Sequence, residues 1–162
     1  MDFTKEAYEK NNGLHGRYEK LGPELLPLLF IAYKEKLSKS SGKVHNIMRY
    51  RASVEHDQKV LEAMRRKALL VDEAKAQLVK GNKAALGPIL SKDFNLRKSV
   101  YSISPENLKL IEIAGELGAH AKQTGSGGAA IGTYEDAEQY RALEKAYRQN
   151  GFSTIKVNVV DY

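Results

Sequence analysis

Residues 119–134 read AHAKQTGSGGAAIGTY. AHAKQT (119–124) and AAIGTY (129–134) alternate as strands do, and Gly125, Gly127 and Gly128 interrupt the chain between them. SPENLKLIEIAGELG (104–118), just before, has every mark of a helix. Ser104 is the N-cap, Pro105 stands at N1 and Gly118 ends it. Asn107 stands where a capping box would carry Glu or Gln. Leu108, Ile111, Ala114 and Leu117 form the expected buried face. EDAEQYRALEKAYRQNG (135–151) is a second amphipathic helix, with Tyr140, Leu143 and Tyr147 inward and Gly151 at C′. FSTIKVNVV (152–160) alternates as a last strand. Helix–strand–strand–helix–strand is most of a ferredoxin-like α+β layer, an antiparallel sheet with helices on one face.

Upstream, LLPLLFIAY (25–33) is a continuous apolar run and reads as a buried strand, with Pro27 near its start or at an edge. KEKLSKSSGK (34–43) is a loop, and a helix begins near Ser41, a possible N-cap, with Val44, Ile47 and Met48 on one face. A further helix over about 56–80 places Val60, Leu61, Met64, Ala68, Val71, Ala74 and Leu78 on one stripe. Another, from about 83, carries Leu86, Ile89, Leu90 and Phe94, with Pro88 near its first turn. Residues 1–24 are polar and read as a surface-wrapping segment with at most a short helix; 25–162 read as one domain with extra helices.

The chain has 162 residues, a net charge of +6 and no cysteine. One domain of this size buries a sizeable core. Disulfides and thiolate metal sites are excluded, which fits a reducing compartment. No apolar run approaches the ~20 residues of a membrane helix, and MDFTKEAYEK lacks the core of a secretory signal. The expectation is a cytoplasmic protein. The basic balance favours anionic partners, although acids and bases are interleaved as in RRKALLVDEAK.

The string Gly125-Ser126-Gly127-Gly128-Ala129-Ala130 satisfies G-x-G-x-x-G/A. A dinucleotide fingerprint must open a helix inside a βαβ unit, whereas a strand follows here. A P-loop fails too, because no Lys-Ser/Thr follows. Two readings remain open. One is a strand–strand turn needing positive φ. The other is an anion nest of backbone N–H groups.

LGAHAKQTGSGGAAIG resembles the third motif of the GHMP kinases, the family of galactokinase, homoserine kinase and mevalonate kinase. MDFTKE, ELLPLLFIAY, SGKVHNIMRYR, DFNLRKSVY and GFSTIKVNVV are similar, in order, to the C-terminal half of the family's glucuronokinase branch. The resemblance spans nearly the whole chain. It implies a GHMP kinase C-terminal domain using ATP and Mg2+ to phosphorylate a sugar acid, glucuronic acid, at its anomeric hydroxyl. The family's phosphate loop, Pro-x-x-x-Gly-Leu-Gly-Ser-Ser-Ala, has no match here. Its catalytic acid and metal ligands are then expected in an N-terminal kinase domain missing from this chain, which alone is expected to be inactive.

The resemblance implies that Gly125, Ser126, Gly127 and Gly128 present N–H groups to the ATP phosphates. Thr124 would bond a phosphate or the sugar, or is a strand residue satisfied by backbone. Ser41, Gly42, Lys43 and His45 lie where a strand hands over to a helix N-terminus, a place that favours an anion. Lys43, Arg49 or Arg51 could pair the sugar carboxylate, and Arg97 matches an arginine of the resembling block; each reads equally well as a solvated charge. His15, His45, His56 and His120 have no metal spacing. The carboxylates read as solvated helix faces. An apolar patch near the glycine loop, or a dimer through it, is expected where the missing domain would dock. Rivals are a non-catalytic scaffold of kinase ancestry and an RNA-binding sheet; the strands lack the aromatic pattern of the latter.

Overall fold

β1 (Leu29–Tyr33) is the apolar run's second half and becomes a central strand. The computed structural model describes residues 5–14, 16, 18–34, 37 and 41–160, without the side chains of 7, 8 and 41–45. A short helix α1 (Lys5–Lys10) comes first, and Lys75 Nζ holds the segment's Glu19 at 2.6 Å. After β1 come α2 (Ser41–Ser53), α3 (Gln58–Val79), α4 (Leu86–Val100) and α5 (Pro105–Glu116). Then follow β2 (His120–Gln123), β3 (Ala129–Thr133), α6 (Ala137–Gln149) and β4 (Ser153–Lys156). The sheet order is β2-β3-β1-β4 with every pairing antiparallel. The expected α+β ferredoxin-like layer is therefore the observed one.

α5 and α6 cover one face of the sheet. Small residues line its centre: Ala32 pairs with Ala130, and Ala121 pairs with Gly132. Leu110 and Ile113 of α5 and Leu143 and Tyr147 of α6 fill the space above them with Phe30 and Phe152. Gly132 is obligatory because a Cβ there would collide with the Phe30 ring. His120 and Lys122 alternate with Ala121 and so point to the opposite face, where α4 lies. Ser91 Oγ meets His120 Nδ1 at 2.9 Å and Asp93 Oδ2 meets Lys122 Nζ at 3.0 Å.

Several helix faces are rotated from their sequence-based expectation. α5 buries Asn107, Leu110, Ile113 and Ala114, whereas Leu108, Ile111 and Leu117 are only part-buried. α3 buries Val60, Ala63 and Leu78 and leaves Met64, Ala68 and Val71 exposed. Its inner face includes Lys67, which pairs with Asp93; a stripe counted on apolar residues alone passes over it. Ile47 of α2 is likewise exposed. Ser41 is the first helical residue of α2 and not the residue before it; its side chain, with those of Val44 and His45, lies outside the described residues, as does His15. β4 ends at Lys156, short of the alternating 157–160.

Candidate functional site

The connection between β2 and β3 is the glycine loop. Gly125, Gly127 and Gly128 have φ of +51°, +125° and +85°, a path that side chains rarely follow. The Thr124 N–H donates to the Ala129 carbonyl at 2.9 Å, and the Gly127 N–H donates to the Thr124 carbonyl at 3.3 Å. Thr124 thus closes the turn through its backbone. Three neighbours brace the loop. The Lys34 N–H, just past β1, donates to the Gly128 carbonyl at 2.9 Å. Arg97 Nη2, near the end of α4, donates to the Gly125 carbonyl at 3.0 Å. Asn107 Oδ1, in the first turn of α5, accepts from the Gly128 N–H at 2.8 Å. The N–H groups of Gly127 and Gly128 are therefore used within the protein, and the Gly125 N–H has no protein acceptor among the described residues.

Arg97 joins this loop to a groove of about 440 Å³ between α2, α3 and α4. Its guanidinium lies 4.7 Å from the Tyr101 ring centroid, and its buried Nε has no partner among the described residues. Arg49 and Lys67 share the groove with apolar Met48, Met64 and Val100. Two expected substrate residues, Arg49 and Arg97, are thus brought together. Arg51 is not with them: its guanidinium grips Asp57 at 2.7 Å and the Val100 carbonyl at 2.7 Å. That hydrogen bond from Arg51 holds the Asp57 carboxyl below its ordinary range. Asp57 in turn caps α3 through the Lys59 and Val60 N–H groups. Ser41, Gly42 and Lys43 start α2, and their side chains lie outside the described residues. His56 is exposed in the α2–α3 turn, with φ of +50°.

Two features escaped the sequence reading. One is the reach of Asn107, 4% exposed, to the glycine loop, where the sequence marked only its odd place in a helix cap. The other is Asp93. It is no solvated carboxylate, because Lys67 at 2.7 Å and Lys122 at 3.0 Å clamp it between α3 and β2. Burial pushes its carboxyl up, but the two lysines outweigh burial and hold it below its ordinary 3.8. The available signal was Lys67 itself, a cation on the inner stripe of α3, which needs an anion beside it. Among the described residues no group of three or more His, Asp or Glu side chains could hold a metal ion, and no helix is long and apolar enough to cross a membrane.

Residues 74–151, from α3 through α6, match the family model described as GHMP kinases C terminal. Over 99% of its length the chain is 34% identical to "Probable glucuronokinase 2" of Arabidopsis thaliana, and over 98% it is 31% identical to "Glucuronokinase 1" of the same plant. It spans 44% of the length of each of these relatives. Lactococcus lactis galactokinase, solved with galactose, superposes with a TM-score of 0.64 at 18% identity, over 88% of this chain and 48% of that one. That likeness is one of fold. The chain carries the C-terminal domain of the GHMP kinases.

Proposed function

We propose that this chain works as the C-terminal half of an ATP-dependent sugar kinase, and that Thr124, Gly125, Ser126, Gly127 and Gly128 face the ATP phosphates. The observation that carries the reading is the braced glycine loop, whose three positive-φ glycines let a phosphate approach the backbone closely. Phosphoryl transfer depends on positioning and on stabilising charge, and a loop fixed before ATP arrives contributes to both. Mg2+ and the catalytic acid belong to the N-terminal domain in this account.

The substrate we propose is glucuronic acid, phosphorylated at its anomeric hydroxyl. Arg97 and Arg49 would meet its carboxylate, with Ser41, Gly42 and Lys43 at the start of α2 completing the sugar side. The similarity to two plant glucuronokinases supports this choice. The test is a substrate panel on the chain joined to its N-terminal kinase domain: glucuronic acid, galactose, arabinose and mevalonate, with ADP release and the phosphorylated product followed by 31P NMR. The expected result is ADP release with glucuronic acid and a phosphate on its anomeric carbon. Turnover with another sugar would keep the kinase and replace the substrate. No turnover with any would favour the scaffold reading.

A further inference from the structure

A helix that opens Ser-Pro-Glu-Asn lacks half of a capping box. Ser104 caps α5 in the usual way, accepting from the Asn107 N–H at 3.4 Å. In a capping box the residue at this third position is Glu or Gln, whose side chain turns back to the cap's own N–H. Asn107 does something else. Its Nδ2 donates to Ser104 Oγ at 2.8 Å, which orients the amide and turns Oδ1 outward to the Gly128 N–H at 2.8 Å. The side chain is 4% exposed, so both polar ends must be matched inside the protein. Gly127 packs against the same amide: a Cβ there would stand 3.0 Å from Asn107 Nδ2.

We infer that Asn107 is the positioning residue of the glycine loop, transmitting the fixed N-terminus of α5 to the backbone of Gly127 and Gly128. The inference rests on the reading of the loop as the phosphate-facing element, and it adds the residue that sets the loop's shape. A longer Gln or Glu would restore the capping box and overreach the loop. Asn places an acceptor where the turn needs one and adds no charge beside a polyanion. Asn107 touches no phosphate itself.

The test uses the chain joined to its N-terminal kinase domain, with Asn107→Ala, Asn107→Asp and Ser104→Ala. Two readouts are needed: amide hydrogen exchange of the 123–130 segment without nucleotide, and KM for Mg·ATP. Asn107→Ala should speed loop exchange by about tenfold, because the Gly128 N–H loses its acceptor. Ser104→Ala lowers Tm through the lost cap and frees Asn107 Nδ2, yet it leaves the acceptor for the Gly128 N–H in place, so loop exchange should rise by only about threefold, less than with Asn107→Ala. Asn107→Asp keeps an acceptor toward Gly128, so exchange should stay near wild type while KM for ATP rises by about tenfold from the added charge. If loop exchange simply follows Tm across the three variants, Asn107 is only part of a helix cap and the inference falls. If loop exchange responds as expected but no variant alters ATP binding, the link from α5 to the loop stands and the phosphate-facing reading of the loop falls.

Discussion

A methyl group at Gly127 would stand 2.7 Å from Gln123 Nε2 and 3.0 Å from Asn107 Nδ2, on a backbone with φ of +125°. Gly127→Ala should therefore cost about 2 kcal/mol or more in chemical denaturation. Gly151→Ala is the matched control, with φ of +73° and nothing within 4 Å of a Cβ, and should cost about 1 kcal/mol. At Asp93 the prediction concerns pH. Its folded carboxyl titrates below the ordinary 3.8 because Lys67 and Lys122 offset burial. The pair's contribution is then fully present above that value and is lost as pH falls through the lower folded one. Asp93→Asn should flatten the acid limb of the stability–pH curve and lower stability at neutral pH, read by urea midpoints between pH 3 and 7. The glycine cluster was legible as a loop because nothing else places three glycines in four residues. Asn107 was noticed as an oddity, but its partner lies 21 residues away, and no local pattern reports that distance.

α5 is tied at both ends. Ser104 fixes its start, and the Tyr147 hydroxyl of α6 donates to the Leu110 carbonyl at 2.6 Å. Burial pushes the Tyr147 hydroxyl up from its ordinary value, so it stays a donor at any working pH. Tyr147→Phe should cost about 1–3 kcal/mol, because the Leu110 carbonyl stays buried without its donor; thermal denaturation checks it. Helix ends were readable here, since Ser-Pro starts and glycine stops act within one turn. Helix faces were less so. α3 carries two overlapping stripes, and tertiary packing chose the one containing Lys67, because Asp93 waits on α4. The same limit shortened β4. Its alternation runs on past Lys156, but after the Val157 N–H bonds to the Leu29 carbonyl the neighbouring strand ends, and Pro27 offers no N–H.

The four strands and the five helices α2 to α6 were legible in order because each turn between them is marked by glycine, proline or a cap, whereas α1 was read only as part of a surface segment. The sequence could not place the groove, since Arg49, Lys67 and Arg97 come from three helices. Exposed apolar side chains also lie on α2, the turn after it and α3: Ile47 and Tyr50, Val54, and Met64 and Val71. We expect joining the N-terminal domain to shield part of this surface, read as less binding of an apolar dye than by the isolated chain. The central claim is that the glycine loop holds the ATP phosphates in a sugar kinase. The most direct test compares kcat/KM for Mg·ATP, with glucuronic acid, between wild type and Gly127→Ala in the joined protein at a temperature where both are folded. A loss of about a hundredfold is predicted, in line with removing a preorganised anion site. Equal values in the two proteins would contradict it.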